Sequence, residues 1–189
     1  MLSNYKFLST NIEDLILVEP FTVYDERGFM KKTFEKNIFL ENGINFLPIE
    51  EMETTSKMGV LRGLHFQNKH SQAKLIRCAK GKILDVAVDL RIGSSTFGQH
   101  FSVILSSENK RMLYIPRDFA HGCLTLEDDT TFYYLCDNKY LPEHDSGILW
   151  NDKDLAIDWG LMDMNEIILS KKDKKLQTFQ EYKTLQGIF

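Results

Sequence analysis

The sequence predicts an all-β protein built as an antiparallel sandwich or barrel. Two observations predict it. From Gly59 to Cys136 nearly every segment is rich in Val, Ile, Leu and Phe, with polar and apolar residues alternating in steps of two. Turn signals at Lys80-Gly81, Gly93-Ser94, Ser107 to Lys110 and Asp128-Asp129 cut that stretch at roughly the 8–12-residue spacing of such folds. No helical pattern alternates with the strands, so a parallel sheet is not expected.

Taken in order, Leu15–Val18 is a short apolar strand closed by Pro20, followed by the polar turn Tyr24 to Gly28. Thr33–Gly43 has helical spacing, with Phe34, Ile38 and Leu40 on one face, Thr33 placed to cap it and Gly43 to stop it. Phe46–Ile49 reads as a strand leading into the acidic cluster Glu50, Glu51 and Glu53. Strands are then expected over Gly59–Gln67, Lys74–Ala79, Leu84–Leu90, Phe101–Leu105, Met112–Ile115, Cys123–Leu126 and Thr130–Cys136. After Pro142 the chain turns at Asp145–Gly147 and Asn151-Asp152. Leu176, Phe179, Tyr182 and Leu185, three apart, predict a helix in the tail Lys172–Leu185. The expected organisation is a single domain over 1–189, with a peripheral N-terminal strand and helix (about 1–50) and a C-terminal tail (about 165–189).

Composition narrows the function. The net charge of −4 lacks the basic stripe of a nucleic-acid binder, although a local basic pocket can still hold a small anion. The three cysteines have no C-x-x-C spacing and lie in apolar runs, as reduced core thiols of a cytoplasmic protein do. Glu13 and Asp14 interrupt the only early apolar run, so neither a signal peptide nor a membrane span of roughly 20 apolar residues is expected.

Chemistry concentrates at Gly59–Gln67, GVLRGLHFQ, where Arg62 and His65 interrupt a strand that otherwise reads as buried. Strict alternation sends Arg62 and His65 to opposite faces, and they converge only if Gly63 bends or bulges the strand. Lys74 opens the next strand; alone it reads as a lysine reaching from a strand end to water. His121 follows a loop, Pro116 to Ala120, at what reads as a barrel mouth. Tyr133 and Tyr134 face opposite ways, one inward, as either packing or an acid. Asp173 reads first as a helix N-cap, with orientation of a histidine as its alternative. The five histidines form no H-x-H or H-x-x-x-H pair, so no metal is expected.

These residues stand in motifs that resemble the dTDP-4-dehydrorhamnose 3,5-epimerase family. GVLRGLHFQ, Ala73–Arg77, Gly81–Asp89, Ser94–Gly98, Ile115–Gly122 and Gly147–Asp152 occur in the family's order, within a similarity running from Asp25 to Asp173. The resemblance implies a cupin-type double-stranded β-helix, or jelly roll, a homodimer, no cofactor, and a nucleotide-linked 4-keto-6-deoxyhexose as substrate. It implies that His65 is the general base, Asp173 its dyad partner, Tyr134 the opposite-face acid and Lys74 the enolate stabiliser. Arg62 and His121 would lie near the sugar and phosphates, and Arg27, Asp145 and Lys172 would hold substrate, with Asp145 standing where glutamate is commoner. The chain departs from the family at Glu50, Glu51 and Met52, which replace a Gln-x-Asn pattern, and at Lys32, which replaces a glutamate; these positions read the substrate's identity. A 3,4-ketoisomerase and a non-catalytic sugar-nucleotide or metal-binding cupin are the competing readings.

Overall fold

The computed structural model describes residues 5–160 and 167–188, so the extreme ends of both peripheral segments lie outside the described residues. Its strands are β1 (Lys6–Ser9), β2 (Ile16–Glu19), β3 (Thr22–Asp25), β4 (Gly28–Lys31), β5 (Glu50–Ser56), β6 (Leu61–Gln67) and β7 (Lys74–Lys80). They continue with β8 (Lys82–Asp89), β9 (His100–Ser106), β10 (Met112–Ile115), β11 (Phe119–Thr125), β12 (Thr130–Cys136) and β13 (Asp145–Gly147). Two helices, α1 (Lys36–Glu41) and α2 (Phe179–Leu185), are peripheral. A six-stranded sheet, β1-β2-β10-β7-β12-β5, faces a five-stranded sheet, β13-β6-β11-β8-β9, and their strands pair antiparallel throughout. The β3–β4 hairpin stands apart.

The sheets enclose a core of Ile76, Cys78, Ile83, Ala87, Leu105, Leu113, Cys123 and Phe132. Their outer faces are covered as well. Phe39, Ile44 and Phe46 pack on Leu75, Met112 and Tyr114 of the six-stranded sheet. Leu155, Trp159, Phe179 and Tyr182 pack on Leu61, Leu64, Val86 and Val88 of the other. Burial on both faces is why β10 and β11 are enclosed at every position and read as continuous apolar runs. The N-terminal segment and the tail are therefore walls of the core.

Local assignments differ from the sequence expectations in five places. The helix over Thr33–Gly43 shrinks to α1; Glu35 precedes it without a side-chain cap bond, and Thr33 caps nothing. No strand forms over Phe46–Ile49. The acidic cluster pairs instead, as part of the edge strand β5, with Glu51 and Glu53 on its exposed face and Glu50 on the other beside Met52. Asp145–Gly147 is a strand and not a turn, pairing with Gln67 to His65. The segment Phe119–Ala120 before His121 is already strand, so His121 is buried within β11 and not on a loop. In the tail, α2 is capped by Thr178, whose hydroxyl and Glu181 form a capping box. Asp173 is not its N-cap.

Candidate active site

The bend expected at Gly63 takes the form of a β-bulge. Opposite β11, His65 pairs with His121 and Arg62 with Cys123, so three steps on β6 match two on β11 and one residue is extra. Gly63 adopts φ +121°, and a Cβ there would lie 2.5 Å from Gly122 Cα. The bulge cancels the alternation, and Arg62 and His65 line the same pocket.

That pocket, of about 200 Å³, lies between the two sheets and is lined by Arg62, His65, Lys74, His121, Tyr134 and Asp173, among others. An adjoining pocket of about 280 Å³ shares His65, Lys74, Tyr134 and Lys172 and adds Met52, Gln72, Tyr140 and Asp145. His65 projects from the five-stranded sheet, whereas Lys74 and Tyr134 project from the six-stranded one. Imidazole and phenol thus approach the cavity from opposing walls.

His65 Nε2 lies 2.6 Å from Asp173 Oδ1, and the carboxylate is 3 % exposed. An ionised carboxylate only accepts, so Nε2 carries the hydrogen and Nδ1 keeps its lone pair. Burial pushes the Asp173 carboxyl upward, but the hydrogen bond from His65, with help from Ser170 and Lys172, holds it below the ordinary carboxylate range. Burial pushes the Lys74 ammonium below the ordinary lysine range, with negative neighbours including Asp85 and Asp145 opposing that push. The Tyr134 hydroxyl sits 3.4 Å from Thr54 Oγ1. Its neighbour Tyr133 faces outward under Arg77, whose guanidinium carbon is 4.1 Å from the ring centroid. At the rim, Asp145 accepts hydrogen bonds from Lys172 Nζ and from Tyr140 Oη, the latter at 2.6 Å. Those two bonds hold the Asp145 carboxyl low against the upward push of its burial.

Not every expected site residue is gathered here. Arg27 sits exposed on the hairpin between β3 and β4, 2.6 Å from Asp25, and Lys32 pairs with Glu35 at 2.6 Å. Glu50 lies behind the rim, its carboxylate accepting from the Tyr140 N–H at 3.0 Å. Sequence reading missed Tyr140 and Cys123 on the pocket wall, and Asp85 beneath it. The signal for Asp85 was present, as an acid in the middle of an apolar strand. All three cysteines are free and buried. A larger cleft of about 470 Å³ beside Leu90 and Tyr182 contains Arg91, but that guanidinium is committed to Asp89, Asp14 and the Glu13 carbonyl.

Known proteins share this arrangement of chain. A relative from Methanothermobacter thermautotrophicus, a dTDP-4-dehydrorhamnose 3,5-epimerase, is 44% identical over 180 residues, 95% of this chain and 97% of its own. The Escherichia coli enzyme of the same name is 43% identical over 178 residues, covering 92% and 94%. A Legionella pneumophila dTDP-6-deoxy-D-glucose-3,5-epimerase, solved with dTDP-4-keto-L-rhamnose, superposes with a TM-score of 0.90 at 40% identity over 94% of each chain. A 4-keto-6-deoxy sugar epimerase from Streptomyces spheroides does so with a TM-score of 0.91 at 29% identity, covering 98% and 93%. A family model described as dTDP-4-dehydrorhamnose 3,5-epimerase matches residues 9–181. With jelly-roll architecture, motif order and this similarity in agreement, the chain belongs to the dTDP-4-dehydrorhamnose 3,5-epimerase family.

Proposed function

We propose that the protein inverts the carbons flanking the ketone, C3 and C5, of a dTDP-linked 4-keto-6-deoxyhexose. The observation that carries this reading is the placement of His65 and Tyr134 on opposing walls of one pocket, with Lys74 lining both compartments. A proton beside a ketone is weakly acidic, and its removal places negative charge on the carbonyl oxygen. The Lys74 ammonium supplies a fixed positive charge for that oxygen. His65 Nδ1 takes the proton while Asp173 holds the ring and stabilises the imidazolium that forms. Tyr134 returns a proton from the other face, which is what changes configuration. One base and one ammonium serve both carbons because both flank the same carbonyl.

Arg62 and His121 bind the sugar and diphosphate on one side of this centre. Met52, Asp145 and Lys172 bind substrate on the other, with Glu50 supporting Tyr140 from behind. The guanidinium fork of Arg62 suits phosphate oxygens. Arg27 and Lys32 act from the hairpin region of a homodimer. Tyr24, Phe29 and Met30 of that hairpin are 64%, 56% and 55% exposed, an apolar surface that a second copy covers while bringing Arg27 to its neighbour's pocket. The reaction requires no metal or cofactor, and the protein works in the cytoplasm.

Incubation with dTDP-4-keto-6-deoxyglucose in D2O, followed by NMR at C3 and C5, tests the reading. Deuterium is expected at both carbons together with inversion, and its absence from both refutes the assignment. Tyr134→Phe is expected to keep exchange better than inversion.

A further inference from the structure

A second histidine–aspartate pair lies beneath the pocket. Asp85 is on β8, beside Ile83 and Ala87 on the face that points between the sheets. It is fully enclosed, and its Oδ1 lies 2.7 Å from Nε2 of His121, whose side chain is 10% exposed. Asp85 Oδ2 has no hydrogen-bond partner among the described residues. A carboxylate inside a barrel core is costly, so packing alone gives no reason for an acid here. Across the strand pair Asp85 faces Cys123, another pocket residue. Its negative charge also reaches Lys74.

We propose that Asp85 is a positioning residue: it holds His121 with the hydrogen on Nε2, so that Nδ1 meets the substrate as a hydrogen-bond acceptor. Nε2 is the only His121 ring nitrogen bonded to protein among the described residues, and Nδ1 is not among the buried unpartnered atoms. Nδ1 therefore remains open to the pocket. An ionised carboxylate accepts and never donates, which dictates the tautomer. In that pocket Arg62 and Lys74 only donate, so His121 is suited to a sugar hydroxyl and the two cations to anionic oxygens. This assignment rests on the sugar-nucleotide reading of the pocket for its ligand, but the tautomer itself does not depend on it.

The experiment is ¹⁵N NMR of the histidine rings in the wild-type protein and in Asp85→Asn, together with deuterium exchange at C3 and C5. In the wild type the His121 signals are expected to show a protonated Nε2 and a bare Nδ1. In Asp85→Asn, whose amide donates as well as accepts, the bare nitrogen is expected to shift toward Nε2, with kcat/KM falling about 10- to 100-fold. A wild-type His121 carrying its hydrogen on Nδ1 overturns the proposal without any variant. So does an Asp85→Asn protein that keeps the wild-type tautomer, or keeps kcat/KM within about twofold while the tautomer changes. Correct tautomers in a wild-type protein that exchanges no deuterium reject the epimerase reading and leave Asp85 and His121 assigned.

Discussion

Gly63→Ala tests whether the bulge in β6 builds the site. At φ +121° an alanine is strained, and its Cβ would lie 2.5 Å from Gly122 Cα and 2.8 Å from the His121 carbonyl oxygen. Both neighbours are backbone, so neither can rotate away. Gly122 confirms the closeness from the other side, since a Cβ there would lie 2.9 Å from the Arg62 carbonyl oxygen. Gly28, at the hairpin, has nearly the same φ of +123°, but a Cβ there would meet nothing within 4 Å, and it isolates the strain from the clash. Strain in this region costs about 1–3 kcal/mol and overpacking about 1–3 kcal/mol more. Gly28→Ala is therefore expected to lose only the first contribution, about 2 kcal/mol, and Gly63→Ala both, about 4 kcal/mol. The corresponding Tm decreases are roughly 4–8 °C and 8–16 °C for a domain of this size. Urea unfolding followed by circular dichroism measures the difference. Below its transition, Gly63→Ala should also lose about 100-fold in kcat, because an ångström of movement at His65 suffices for that. Equal stability losses in the two variants refute the claim that close approach of β6 and β11 demands the glycine.

Three further outcomes follow from the same geometry. Asp173→Asn offers His65 an amide in place of an acceptor-only carboxylate, so kcat is expected to fall about 10²–10⁴-fold with little change in Tm; retention of activity in steady-state assays removes Asp173 from the dyad. Lys74 binds its proton more weakly folded than unfolded, so the unfolded chain holds more protons between the folded pKa and the ordinary lysine value, and stability contributed by this group rises with pH across that window. Lys74→Met is expected to abolish that rise and to inactivate the enzyme, and parallel plots of urea midpoint against pH for the two proteins contradict the burial of a strained charge. Lys172→Ala removes a rim cation that bonds Asp145, so it should raise KM more than it lowers kcat; the opposite split in Michaelis kinetics places Lys172 at the reacting carbons instead.

The strands between Gly59 and Cys136 were legible because alternation and turn chemistry are local signals, and most of the pocket was legible because charged residues stand out in apolar strands. What escaped is non-local. Glu50 to Ser56 has no apolar face to advertise a strand, and β5 exists because β12 pairs with it residue by residue. Asp145 to Gly147 looked like a turn by composition, and the edge of β6 recruits it. Asp173 met every local requirement of an N-cap, yet Thr178 caps α2 and the tertiary fold delivers Asp173 to a histidine 108 positions earlier. Even the motif at Gly63 stated only that a bend was possible. Its form, one extra residue opposite His121 and Cys123, required the partner strand.

The pocket places two histidines back to back across β6 and β11, His65 paired in register with His121, each held through Nε2 by a buried aspartate. Their surroundings differ in the way their tasks require. Asp173 belongs to the tail, near Ser170 and Lys172, and His65 is 32% exposed, open enough to exchange its proton with solvent once each turnover is done. Asp85 belongs to an interior strand and is sealed, so the Nε2 hydrogen it holds is shielded from water, which suits fixed recognition through Nδ1. In the proposed roles the same two residue types divide into a mobile proton carrier and a static acceptor according to which layer supplies the carboxylate. The prediction is that proton inventory and tautomer change independently in the two asparagine variants, Asp173→Asn altering exchange at C3 and C5 while leaving the His121 ring signals in place. Disturbance of both rings by either substitution would mean that the pairs form one coupled network instead of two separate devices.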